Sequence, residues 1–225
     1  MYINVAHVVS TLVRLNPKAL EASYREREAV CEPAAPPFAV RLDGVGFGKR
    51  LRDFPHPRSR VVHEALVDTA KTLAATYGAE LVHVVSDEIN LIFLGQAPYG
   101  GRTFKIVSVL AAHAASELTA RLARPLHFDG RVIRLRDRCD AATYVLYRAR
   151  VGLNNYVVQL ARGAGLINSH TPHIEELLPK VEIADFELAW GSTMKKEGGY
   201  RREGLCEALV ALCDVCTSGT SPRGI

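Results

Sequence analysis

Residues 84–93 read VVSDEINLIF, an apolar run interrupted at its centre by Ser86, Asp87 and Glu88. A continuous buried strand does not hold two adjacent carboxylates, whereas a tight turn between two strands does. AELVHVV (79–85) and INLIFLG (89–95) have the length and branched apolar content of strands, so the stretch predicts an antiparallel hairpin with an acidic tip. Upstream, FAVRLDG (38–44) reads as a short strand ending in Asp-Gly, followed by the glycine-rich VGFGKR (45–50). Val61, Val62, Leu66, Ala70 and Leu73 then recur at helical spacing, predicting a helix from about Arg58 to Tyr77 that Gly78 ends. Downstream, QAPYGG (96–101) is a loop, Arg102 to Leu122 a long helix, FDGRVIRL (128–135) a strand, and Ala141 to Ala161 another helix.

The resulting order, β-α-β-β-α-β, is that of the ferredoxin-like split arrangement: an α+β palm, an antiparallel sheet with its helices on one face. In that topology the end of the first strand lies beside the turn joining the second and third, so Asp43 joins Asp87 and Glu88. Three carboxylates so close repel one another unless a cation or a shared proton intervenes. Oxygen donors at an open sheet edge, with a backbone carbonyl beside them, suit Mg²⁺, and a pair of such ions serves phosphoryl or nucleotidyl transfer. The glycines of DGVGFGK let backbone N–H groups approach a triphosphate. Each piece has an ordinary reading too, since Asp-Gly is a common turn dipeptide and Ser-Asp-Glu a common solvated tip. Their joint placement at one end of the sheet favours a site.

With 225 residues and 48% apolar content the chain can bury a sizeable core. Its net charge of +4 is too small to demonstrate an anionic partner. NPKALEASYREREAV (16–30) is a charged amphipathic helix, and the prolines of CEPAAPPF (31–38) break it. The expected organisation is an N-terminal helical segment (1–35), the palm (36–165) and a C-terminal helical extension (166–225). The first residues show no basic leader or cleavage pattern, and no stretch approaches the ~20 uninterrupted apolar residues of a membrane span. These features predict a soluble, cytoplasmic protein. Cys31, Cys139, Cys206, Cys213 and Cys216 are scattered and odd in number, unlike a disulfide framework. Cys213 and Cys216 have metal-ligand spacing but no second pair, and small apolar roles are the expectation for them.

VRLDGVGF (40–47), SDEINLIF (86–93), RTFKIVS (102–108), HFDGRVIRL (127–135) and LNN (153–155) occur in the order and at roughly the spacings of the tRNA-His guanylyltransferase family. The sequence resembles that family over about residues 22–200, and more closely its guanylyltransferase-like branch. The resemblance implies a palm enzyme that adds nucleotides to the 5′ end of tRNA in the 3′-to-5′ direction, using two Mg²⁺ ions. The 5′ end is activated with ATP or GTP, NTPs are substrates, and the family forms dimers or tetramers. By motif position it implies Asp43 and Asp87 as metal ligands, the Gly44 carbonyl as a backbone ligand, and Glu88 as support. It places Gly44, Val45, Gly46, Phe47 and Ser86 at the triphosphate, with Arg102, Lys105, Ser108, Asn154 and Lys195 as further nucleotide contacts.

The sequence departs from the family in two places. Gly152 stands where the eukaryotic enzymes carry the histidine of His-Ile-Asn-Asn, and Val45 stands where a polar residue often follows Asp-Gly. These departures point to template-dependent repair of 5′-truncated tRNA rather than strict addition of one G to tRNA-His. Two readings from other classes compete. A nucleotidyl or diguanylate cyclase shares the carboxylates, but the tip here lacks Gly-Gly. A non-catalytic RNA-binding protein would use the abundant arginines with no need of Asp43 or Asp87.

Overall fold

The computed structural model describes residues 5–27, 32–168 and 172–213. Two N-terminal helices, α1 (Val5–Arg14) and α2 (Pro17–Glu26), precede strand β1 (Phe38–Gly44) and a single turn of helix, α3 (Phe47–Arg50). Then follow α4 (Arg60–Tyr77), the hairpin β2 (Leu81–Val85) and β3 (Glu88–Phe93), α5 (Thr103–Leu122), β4 (Phe128–Arg134) and α6 (Arg138–Gly163). The C-terminal part contains α7 (Ile174–Leu177), α8 (Phe186–Trp190), β5 (Ser192–Lys196), β6 (Tyr200–Glu203) and α9 (Leu205–Val210).

One sheet runs β4-β1-β3-β2-β5-β6, with every neighbouring pair antiparallel. Its first four strands are the expected β-α-β-β-α-β unit. Alternation along β1 decides what each face meets. Phe38, Val40 and Leu42 join Leu66, Leu73, Ile106 and Leu110 in a core under α4 and α5, the two helices of that unit. Ala39, with Ile92 and Ile133, faces the other way into a second core built on α6. Asp43 and Arg41 share the parity of Ala39, so the acidic row lies on the α6 face.

The helix bounds shift for local reasons. Ser59 takes the N-cap, accepting from the Val62 amide, so α4 begins at Arg60. Asp137 caps α6 by accepting from Asp140, which extends that helix to Arg138. The C-terminal extension contains α9 and, in addition, the β5–β6 hairpin, which covers the edge that β2 would otherwise leave unpaired. Cysteine usage differs from expectation: Cys139 and Cys213, far apart in sequence, are joined by a disulfide with Cα atoms 4.9 Å apart. Scatter along the chain did not forecast it, because packing of the C-terminal segment against the start of α6 makes the pair. Cys31 and Cys216 lie outside the described residues, as does the possible metal pairing of Cys216. No described helix is long and apolar enough to cross a membrane.

Candidate active site

Strand register builds the site. Asp43 pairs with Glu88 on one side and with Asp129 on the other, so three carboxylates stand in a row across β3, β1 and β4. Directly opposed side chains in an antiparallel pair lie ~5 Å apart at Cβ. Val85 pairs with Glu88, leaving Ser86 and Asp87 as a two-residue turn. Such turns need a positive φ at the first position, and Ser86 supplies it at 57° although it is not glycine. The Gly44 amide donates to the Asp87 carbonyl at 3.0 Å, and the Val45 amide to the His127 carbonyl at 2.9 Å. These two bonds tie the end of β1 to the hairpin tip and to the segment entering β4.

The charges of the row are handled unequally. Glu88 receives a two-pronged ion pair from Arg148 of α6, with Nε to Oε2 at 2.9 Å and Nη2 to Oε1, and both side chains are nearly buried. Asp43 has no such cation, and burial together with Glu88 and Asp87 pushes its carboxyl up to about 6. Asp87 is likewise raised, chiefly by burial and then by Glu88, while the Ser86 hydroxyl hydrogen-bonds it and works in the opposite direction. Asp43 and Asp87 thus have no direct ion-pair partner, and the nearby Arg41 and Arg58 guanidiniums offset their negative charge only in part. Among the described residues no three His, Cys, Asp or Glu groups close on a common point. Two carboxylates and a carbonyl still fit a hard cation that completes its shell with water and phosphate oxygens.

Beside the tip opens a cavity of about 310 Å³, lined by Ser86 and Asp87, by Phe47, Leu51, Phe54 and Val62, and by Arg58 and Gln159 among others. The glycines shape its mouth. A Cβ on Gly44 would stand 2.7 Å from the Phe47 ring, so only glycine lets that ring fold back over the end of β1. Gly46, at φ 70°, turns the chain into α3. Arg58 reaches behind the cavity, where Nη1 donates to the Leu188 and Ala189 carbonyls and Nη2 to that of Gly152. Helix α6 passes this point in direct contact with the hairpin: a Cβ at Gly152 would lie 2.1 Å from Val85 Cγ2.

The structure brings together Asp43, Gly44, Val45, Gly46, Phe47, Ser86, Asp87 and Glu88. Half-buried Asn154 lies on the same stretch of α6, between Gly152 and Gln159. Arg102, Lys105, Ser108 and Lys195 are not part of the cluster. Arg102 and Lys105 stand at the start of α5, away from the acidic tip, where Lys105 Nζ sits 4.6 Å from the centre of the Tyr99 ring, and exposed Ser108 follows Val107, which lies against Gly130 on the sheet face opposite the acidic row. Lys195 pairs in register with Leu81, at the far end of β2, and bonds Glu197. Sequence reasoning missed Asp129, Arg148 and Arg58. Asp129 enters the site through the β4–β1 register and Arg148 through the packing of α6 over the start of β3, and no local sequence pattern fixes either. Arg58 carried no sequence signal, because its partners are carbonyl groups ~90–130 residues away along the chain.

Residues 23–136 match the protein family described as tRNAHis guanylyltransferase. Solved structures give the same direction. A bacterial tRNA(His) guanylyltransferase (Thg1)-like protein in complex with ATP is 22% identical with a TM-score of 0.67, covering 84% of this chain and 92% of that one. Such a bacterial protein in complex with GTP is 20% identical with a TM-score of 0.68, covering 89% and 97%. The guanylyltransferase of Saccharomyces cerevisiae is 16% identical with a TM-score of 0.60, covering 80% and 94%. Identities this low establish the shared fold. No curated protein matches the chain.

Proposed function

The chain belongs to the tRNAHis guanylyltransferase family, a family of nucleotidyltransferases, and from that premise we propose that it adds nucleotides to the 5′ end of tRNA in the 3′-to-5′ direction, templated by the opposite strand. The substrate is a 5′-truncated tRNA whose 5′-monophosphate is first activated with ATP or GTP. The relatives in complex with ATP and with GTP support a nucleoside triphosphate as the small substrate. The observation that carries the proposal is the placing of two carboxylates without a direct ion-pair partner, Asp43 and Asp87, beside an open cavity at one edge of the sheet.

Asp43, Asp87 and the Gly44 carbonyl would hold two Mg²⁺ ions. Bound there, the metal would supply charge neutralisation at the phosphates and a more acidic 3′-hydroxyl. The chain's own groups position the reactants. Glu88, held by Arg148, keeps the start of β3 fixed while contributing little free charge. The Ser86 hydroxyl holds the Asp87 carboxylate. Since the Gly44 and Val45 amides are used within the fold, the amides of Gly46, Phe47 and Gly48 are those left for the triphosphate. The 3′-oxygen of the incoming nucleotide forms a bond to the 5′-phosphorus as the bond to the activating group breaks, and AMP, GMP or pyrophosphate departs. Asn154 approaches the same nucleotide from α6. Arg102, Lys105, Ser108 and Lys195, remote within one subunit, serve RNA phosphates or a nucleotide shared across a homodimer or tetramer.

The test is a 5′-extension assay on tRNA lacking its first nucleotide, with Mg²⁺, ATP and each NTP in turn. Growth only with the nucleotide complementary to the opposing base is expected, with loss of product by a factor of at least ~10³ in Asp43→Asn and in Asp87→Asn and little change in tRNA binding. Full turnover in either variant would overturn the metal-ligand assignment. Addition of G alone, confined to tRNA-His, would overturn the repair reading in favour of strict guanylyltransfer. Binding without extension would leave a non-catalytic RNA-binding protein.

A further inference from the structure

We propose that a second cavity, formed by α8 with α1, β6 and α9, is an effector site for an α-amino acid with an apolar side chain, and that its occupancy is felt at the acidic tip. The space measures about 580 Å³, within the range of small-molecule sites. Val5, Val8, Phe186, Trp190 and Leu205 give it an apolar lining, and the Phe186 and Trp190 rings stack with centroids 4.8 Å apart. It shares no lining residue with the cavity beside Asp87, yet contacts through α8 and the residues after it join the two. Arg58, in the tip cavity, donates to the Leu188 and Ala189 carbonyls of α8, between Glu187 and Trp190 of the second cavity. His63, also in the tip cavity, has its Nε2 2.8 Å from the Oγ of Ser192, which lines the second. Gly191 is close-packed on the hairpin, where a Cβ would stand 2.4 Å from the Val84 carbonyl oxygen and 2.9 Å from Val85 Cβ. A shift of α8 therefore bears directly on Arg58 and on the hairpin that carries Asp87.

The charged groups around the space decide the ligand. Glu187 and Arg202 are spent on each other and on Arg60 and Glu64. Arg201, Glu203 and Glu207 also line the cavity, and none has an ion-pair partner among the described residues. Arg201 and Glu203 stand two residues apart on β6, so they share one face of the strand with roughly 7 Å between their Cα atoms. The wall thus presents opposite charges side by side that do not pair with each other. An α-amino acid carries a carboxylate and an ammonium on one carbon and spans such a pair. Its carboxylate meets the Arg201 guanidinium, its ammonium meets Glu203 with Glu207 adding to the negative side, and its side chain takes the apolar lining. A nucleoside triphosphate suits this space poorly, because its phosphates would face two unpaired carboxylates against one guanidinium.

Trp190 is the only tryptophan of the chain, so its fluorescence reports occupancy of this cavity. Titration of the whole protein with leucine, in the absence of nucleotide, should give a saturable change with a dissociation constant below about 1 mM. Leucinamide, which lacks the carboxylate, N-acetyl-leucine, which lacks the ammonium, and glycine, which lacks the apolar side chain, should each bind at least about tenfold more weakly. Arg201→Gln should bring leucine down to the level of leucinamide; the side chain is exposed, and the analogue series on the unaltered protein carries the decision without it. Calorimetry under the same conditions detects a complex that leaves the fluorescence unchanged. Because coupling between two sites is reciprocal, saturating ATP with Mg²⁺ should change the leucine dissociation constant by at least about threefold. Leucinamide or N-acetyl-leucine binding as well as leucine, or leucine giving neither heat nor a fluorescence change, overturns the site. An unchanged leucine affinity in protein saturated with ATP overturns the link to the tip. Leucine binding in a protein that takes no nucleotide upholds this site and overturns the nucleotide reading of the other cavity instead.

Discussion

Two residues of the acidic edge have opposite relations to stability. Arg148 and Glu88 form a nearly buried ion pair. Removing the cation alone leaves a carboxylate desolvated next to Asp43, so Arg148→Met should cost about 3–5 kcal/mol in denaturant unfolding. Adding Glu88→Gln should restore most of it, and a double variant no more stable than the single one would show that the pair is not what holds α6 to the tip. Ser86 is the reverse case. Its φ of 57° is costly for a residue with a Cβ, yet its hydroxyl bonds Asp87. Ser86→Gly should therefore leave stability unchanged or raise it by up to about 1 kcal/mol, while slowing nucleotide addition. Wild-type turnover in that variant would mean that the hydroxyl has no role. The carboxylates Asp43, Asp87 and Glu88 were legible in sequence because acidic residues inside an apolar run are conspicuous. Asp129 and Arg148 were not, because their roles depend on which strand and which helix lie next to β1 and β3.

Among the elements, the contact between α6 and the β2–β3 hairpin sets the geometry of the site. Helix α6 is close-packed on Val85 at Gly152, with no room for even a methyl group. Gly152→Ala should push the helix off the tip, costing about 1–3 kcal/mol and reducing turnover, although alanine is the better helix former. Val85→Ala in the same chain should recover part of both losses, and an unchanged melting temperature in Gly152→Ala would show that the helix can slide. This also gives physical content to the missing histidine: at this position the backbone would have to move to admit any side chain. The hairpin, α4, α5 and β4 could be read from periodicity and turn residues. The β5–β6 hairpin could not, since STMKK and YRRE are short, polar and without the alternation of a two-faced strand.

For the molecule as a whole, two buried histidines couple stability to pH. Burial lowers His63 to about 4, and its Nε2 lies 2.8 Å from Ser192 Oγ. Burial, with Arg148 adding to it, lowers His83 to about 3. In the unfolded chain both titrate near 6.5, so between that pH and 4 the unfolded state binds more protons and acidification favours it. Each histidine should remove about 2 kcal/mol between pH 7.5 and 5. Asp43, raised in the fold, acts with the opposite sign over the same range, so the readout is the difference from His63→Asn: the variant should lose less stability on acidification than the wild type. Parallel pH profiles would mean that His63 is protonated in the folded protein. His63 and His83 meet Ser192 and Thr193 only because β5 joins the sheet next to β2. By itself the sequence determined the palm and its acidic tip, because hydrophobic period, turn residues and element order are local properties of the chain. Tertiary structure alone decided which charges are paired, where Arg58 reaches, that Cys139 meets Cys213, and that Arg102, Lys105 and Lys195 stand apart from the carboxylates. Those facts depend on contacts between residues far apart in the chain, which no local pattern encodes.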